Sequence, residues 1–207
     1  MSESSSAGPR VPAGGAISAS AAWERLAAGN ARFAAGRPEH PRQDAAYRRD
    51  QRTGQRPIAA ILGCADSRVP PEIVFDQGVG DLFVLRVAGN IVDAAILGSL
   101  EYAVAHLQTP LIVVLGHSRC GAIGATLGGG SLEGHLPAIA SVIRPSVDAV
   151  RDRLGDPLIH AAQTHARAMA EELRRSRPRL AEFVASGRLS VVAAYYDLET
   201  GAVEVLE

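Results

Sequence analysis

The sequence predicts an α/β fold: a mainly parallel β-sheet of four strands plus a short edge strand, flanked by helices and preceded by an N-terminal helical arm. Three observations carry this. Short apolar runs, Ile58 to Gly63, Asp81 to Val87 and Pro110 to Gly116, have the length and near-continuous hydrophobicity of strands buried on both faces. Between them lie Pro71 to Asp76, read as a short helix, and Ile91 to Leu107, read as a longer one. Strand, helix, strand in that order predicts parallel pairing with right-handed crossovers. Finally, 207 residues with 47% hydrophobic and 21% charged side chains exclude a disordered or fibrous chain and suffice for one core.

Residues 1–19 are rich in Ser, Ala, Gly and Pro without periodicity and read as a flexible tail. Residues 20–207 read as a single domain, divided into a helical arm over 20–57 and an α/β core over 58–207. In the arm, Ser20 can cap a helix whose positions Trp23, Leu26, Asn30 and Phe33 recur at helical spacing, with Gly36 and Pro38 ending it. Arg37 to Pro57 turns polar and basic and reads as an extended segment with a short helix around Ala45 to Arg52. Ile91 to Leu107 is apolar on nearly all sides, so it is expected to lie between the sheet and another subunit. After Gly128 to Gly130 come two amphipathic stripes. The first is Ile139, Val142, Val147, Val150 and Leu154, interrupted at Pro145; the second is Ile159, Ala162, Ala166, Met169 and Leu173. A short helix over Pro178 to Ser186, a fourth strand over Leu189 to Tyr196, a Glu199-Thr-Gly201 turn and the edge strand Val203 to Leu206 complete the chain.

Composition narrows the chemistry. A net charge of −1 gives no global field toward nucleic acid or an anionic membrane. All 21 basic residues are Arg, which removes the lysine of Schiff-base and pyridoxal-phosphate enzymes and of the Walker A loop. No stretch is apolar enough to span a membrane, the N-terminus lacks a secretory pattern, and two cysteines suit a reducing compartment, so a cytoplasmic location is expected. Gly78-Val-Gly80 precedes a strand rather than a helix and is no dinucleotide fingerprint.

Both cysteines fall at the carboxyl ends of predicted strands, where open α/β sheets bind ligands. Cys64, with Asp66 and Arg68 beside it, follows the first strand; His117 and Cys120 follow the third. Two thiolates, an imidazole and a carboxylate are a donor set for zinc rather than for an oxygen-seeking cation. Taken singly, each residue could equally be a small buried hydrophobe or an ordinary core histidine, and a Cys–His nucleophile pair is a second functional reading. Their convergence at the ends of two predicted neighbours favours metal.

Cys64-Ala-Asp-Ser-Arg68 and Gly116-His-Ser-Arg-Cys-Gly121 resemble the two zinc signatures of the β-class carbonic anhydrases. The likeness continues through Gly29-Asn-Ala-Arg-Phe33, Asp76-Gln-Gly78, Arg86-Val-Ala-Gly-Asn90 and Tyr196-Asp-Leu-Glu-Thr-Gly201. The resemblance implies one zinc ion per chain, held by Cys64, His117 and Cys120, with the fourth position taken by water or, in a closed state, by Asp66. It implies reversible hydration of CO₂ to bicarbonate and a proton by zinc-bound hydroxide. Zinc lowers the pKa of bound water from about 15.7 to around 7, which suits that reaction. Arg68 is implied to hold Asp66 off the metal, and Asp66 to accept a hydrogen bond from the bound water. Gln55 is implied to reach the substrate across a dimer interface, Gly121 to offer its amide and Phe83 to wall the CO₂ pocket. A homodimer or dimer of dimers is implied. The chain departs from the family at His165, where an Asn is frequent, at Val87, and at Ile61, where the bicarbonate-regulated type carries Trp. Rival readings are a CS₂ or COS hydrolase on the same scaffold and a noncatalytic zinc or bicarbonate sensor with a closed site.

Overall fold

The computed structural model describes residues 17–207, so the expected tail falls outside the described residues except for its last three positions. The helices are α1 (Ala19–Ala34), α2 (Ala45–Asp50), α3 (Pro71–Val74), α4 (Ala94–His106), α5 (Gly121–Gly128), α6 (Leu136–Asp148), α7 (Pro157–Arg175) and α8 (Leu180–Ala185). The strands are β1 (Ala59–Gly63), β2 (Leu82–Arg86), β3 (Leu111–His117), β4 (Ser190–Tyr196) and β5 (Val203–Leu206). They form one five-stranded sheet in the order β2-β1-β3-β4-β5, parallel except for the antiparallel pairing of β5 with β4.

Alternation along the strands divides the core in two. Ala60, Leu62, Ile112, Val114 and Ala193 face one side and pack with the buried stripes of α4 to α8. Ala59, Ile61, Val113, Leu115 and Ala194 face the other, where α1 and the α3 turn cover them through Ala22, Leu26, Val74 and Phe75. The order 2-1-3-4 makes the chain leave β1 in one direction and β3 in the other. The ends of β1 and β3 therefore flank the crevice at which open α/β sheets bind ligands.

The helix of the N-terminal arm docks on the sheet of its own chain. Its cap is Ser18, whose Oγ accepts the Ala21 N–H at 3.1 Å, and not Ser20, which lies inside the first turn. Gly29 is required for this docking, because a Cβ there would lie 1.9 Å from the Phe75 carbonyl oxygen. Asn30, 5% exposed, donates to the Val74 and Gly201 carbonyls and accepts the Val203 N–H at 2.8 Å, tying α1 to α3 and β5. Arg32 pairs with Asp76 at 2.6 Å, while Arg25 and Arg42 clamp Asp81.

Two expected stripe positions are corrected. Leu154 is 94% exposed because α6 ends at Asp148, so the periodicity outruns the helix. Ile159 is exposed on the first turn of α7, whose buried face is Ala162, Ala166, Met169 and Leu173 together with Ala161, His165 and Ala170. On α4, Leu100, Ala103 and Val104 are buried within the chain; Ile96 and Leu97 are half-covered and Tyr102 is exposed. No helix among the described residues is long and apolar enough to cross a membrane.

Candidate metal centre

Cys64 begins the turn after β1, His117 is the last residue of β3, and Cys120 caps α5 three residues on. Pairing of β1 with β3 brings these segments side by side. All three side chains are buried, and their ligand atoms lie within 4.8 Å of one another. The two sulfurs are 4.0 Å apart. A tetrahedral zinc with bonds of about 2.3 Å to sulfur separates two thiolates by roughly 3.8 Å, close to this spacing.

The imidazole is oriented for coordination. His117 Nδ1 lies 2.9 Å from the Ser118 carbonyl oxygen, which can only accept, so in the neutral ring the proton sits on Nδ1 and Nε2 carries the lone pair. His117 Nε2 is buried without a hydrogen-bond partner among the described residues. An orphaned buried acceptor beside two buried thiols is a polar defect that a cation removes. The thiols titrate as a pair. Cys120 hydrogen-bonds the Cys64 sulfur and, with His117 and the Gly89 amide, pushes Cys64 down against the opposing effect of burial. Proximity to Cys64 and burial push Cys120 up. One negative charge is readily held there, and a positive ion is needed to hold two. The donor set fits zinc.

Asp66 lies beside this cluster in a bidentate pair with Arg68: Nε donates to Oδ1 at 2.9 Å and Nη2 to Oδ2 at 2.6 Å. Arg68 also donates its backbone N–H to Asp66 at 3.0 Å and Nη2 to the Arg119 carbonyl at 3.2 Å. Arg68 therefore holds the Asp66 carboxyl well below the usual carboxylate range.

Gly121 is the first residue of α5, adjacent to Cys120. Phe83 is half-buried on β2, packed on the same face of the sheet as Cys64, with its ring centroid 6.3 Å from that of Tyr102. Gln55 is elsewhere in its own chain. It lines a cleft of about 620 Å³ with Arg25, Arg42, Tyr47 and Gln108, and none of Cys64, His117 and Cys120 lines that cleft.

Three contributors were not assigned roles from sequence. Arg86, opposite Gly63 in the β1–β2 register, donates Nε to the Cys64 carbonyl at 2.9 Å and Nη2 to that of Asp66, bracing the ligand turn. Gly89 donates its N–H to Cys64 Sγ at 3.3 Å. His165 donates to the Gly89 carbonyl from α7. The first two sit in Arg86-Val-Ala-Gly-Asn90, whose likeness to a family motif was the available signal.

The family profile described as carbonic anhydrase matches residues 59–203. A protein of Mycobacterium tuberculosis called carbonic anhydrase 2 is 44% identical over 185 residues, covering 87% of this chain and 89% of that protein. A carbonic anhydrase of Mycolicibacterium smegmatis is 43% identical over 190 residues, covering 89% of this chain and 92% of that protein. Among solved structures, the β-carbonic anhydrase of Coccomyxa in complex with acetazolamide superposes with a TM-score of 0.71 at 31% identity, covering 79% of this chain and 78% of that one. A tetrameric β-carbonic anhydrase of Sordaria macrospora does so with a TM-score of 0.69 at 30% identity, covering 78% and 90%.

Proposed function

The chain belongs to the carbonic anhydrase family, in its β class, and from that premise we propose that it catalyses the reversible hydration of CO₂ to bicarbonate and a proton, using one zinc ion per chain. The observation that carries this reading is the buried convergence of Cys64, His117 and Cys120 at the crevice between β1 and β3. These residues would hold the metal, which when bound supplies Lewis acidity that brings the pKa of a water toward neutrality.

The chain's own groups do the rest. Asp66, kept ionised by Arg68, is an acceptor for a proton-bearing group at the centre and is drawn away from the metal by the same guanidinium. In neutral His117 the Nδ1–H bond to the Ser118 carbonyl selects the tautomer whose Nε2 lone pair is the one available to a metal. Phe83 offers an apolar wall suited to CO₂, and the Gly121 amide opens α5, where partial positive charge favours an anionic product. Gln55 serves the partner's centre in a homodimer, alone or as half of a dimer of dimers, since it lies apart from its own chain's ligands. The tetrameric relative and the half-covered outer face of α4 support that assembly. The proposed location is the cytoplasm.

The test is metal analysis with a stopped-flow CO₂ hydration assay. Wild-type protein is expected to carry about one zinc per chain and to be active. Cys64→Ser and Cys120→Ser are expected to lose metal and activity together, and full zinc with full activity in either variant refutes the ligand assignment.

A further inference from the structure

The residues behind Cys64 form a chain of contacts that ends on a buried histidine. Cys64 Sγ accepts the Gly89 N–H at 3.3 Å. Gly89 belongs to a single 3-10 turn, Ala88–Asn90, at φ +70°, and a Cβ there would meet Ile143 Cδ1 at 2.7 Å and Ala122 Cβ at 3.3 Å. Residue 89 is thus pressed from α5 and α6 against the ligand sulfur. Its carbonyl accepts Nε2–H of His165 at 2.8 Å, and His165 is fully buried. On the far side of the ring, Ser146 Oγ lies 3.3 Å from Nδ1 and donates to it, which keeps the ring proton on Nε2.

We propose that His165 is a positioning residue for the metal centre, fixing the Gly89 peptide so that its amide bonds to the Cys64 sulfur. This rests on the zinc reading above and deepens it. Two thiolates give a metal more electron density than neutral imidazoles do, and an N–H directed at sulfur withdraws part of it. A left-handed turn residue does not hold such an amide in place unaided; a buried donor on its carbonyl does. Replacing the imidazole by hydrocarbon strands that carbonyl and loosens the turn from the sulfur.

The experiment compares His165→Leu with His165→Gln, whose side-chain amide N–H reaches a similar position. Zinc affinity is measured by chelator competition, and the sulfur-to-metal charge-transfer band is read on cobalt(II)-loaded protein. The leucine variant is expected to bind zinc about 10–100-fold more weakly, as losses behind a metal ligand typically do. Its cobalt band is expected to move to lower energy as the sulfur becomes more electron-rich. The glutamine variant is expected to stay near wild type in both. Ser146→Ala, which deletes only the hydroxyl behind the ring, is expected to shift both readouts in the leucine direction by less, and it carries the test if the leucine variant does not fold. Folded variants that bind zinc as wild type does, with the cobalt band unmoved, overturn the role of His165 while leaving the metal centre standing, even if their metal-free forms melt earlier. Wild-type protein that takes up no zinc overturns both.

Discussion

Arg68 governs what Asp66 can do. Both oxygens of the carboxylate are occupied by the guanidinium, and the side chain of Arg68 is itself half-exposed, so the pair functions through geometry rather than as a stability device. Removing the guanidinium frees a carboxylate beside an intended cation. Arg68→Ala is expected to retain about one zinc per chain and to lose activity about 10–100-fold across the pH range. Metal analysis and the hydration assay check this, and an unchanged activity profile contradicts it. The clustered donors Cys64, His117 and Cys120 were legible as candidates because soft donors at strand ends are a small set. Arg86 and Gly89 were not, because Arg86 acts on backbone carbonyls and Gly89 through its own amide, so side-chain chemistry gave no cue.

Among the elements, α7 carries a built-in sensitivity to acid. His165 faces the Gly89 carbonyl, Ser146 and, at longer range, the Cys64 sulfur, and burial pushes its pKa down to about 4 from an ordinary 6.5. The unfolded chain therefore binds a proton that the folded chain refuses between these values. This stability is fully present above pH 6.5 and is lost as pH falls toward 4, by on the order of 3 kcal/mol. Denaturant unfolding of metal-free protein at pH 7 and pH 4.5 is expected to show that loss in wild type and a smaller one in His165→Gln; equal losses count against it. The element boundaries that periodicity misplaced have a common cause. Leu154 continues the spacing of α6 beyond its last helical residue, and Ile159 opens α7 before that helix meets the sheet. A repeat in sequence does not reveal where its partner surface stops.

The whole molecule raises the question of Gln55. It lines a cleft bordered by Arg25, Arg42 and Gln108, away from the ligands of its own chain, so its proposed contact with substrate requires a second copy. Gln55→Ala and Cys64→Ser chains are each expected to be nearly inactive alone. Mixed and refolded together, half of the dimers combine the two chains, and each has one site with metal ligands from one chain and Gln55 from the other. Activity of about a quarter of wild type is expected. No recovery, with mixed dimers shown by mass spectrometry, places Gln55 in its own chain's site or in none. The docking of α1 narrows the surface available for this assembly. Ala22 and Leu26 are already buried against the chain's own sheet, whereas the outer face of α4, with Tyr102 exposed, is one apolar surface open to a second copy.

By itself the sequence determined the order of strands and helices and the ends on which the soft ligands fall, because hydrophobic period and residue chemistry are local properties. Cys64 directly after β1 and His117 with Cys120 at the end of β3 followed from that order alone. Tertiary structure alone decided the full strand order, which parts the connections on either side of β1 and β3, and that α1 folds back onto the sheet through Gly29 and Asn30. It also decided that a histidine on α7 stands behind a cysteine 101 positions earlier by way of the Gly89 peptide. These contacts join residues far apart in the chain through backbone groups that every residue carries, so no side-chain pattern announces them; only packing brings them within hydrogen-bond reach.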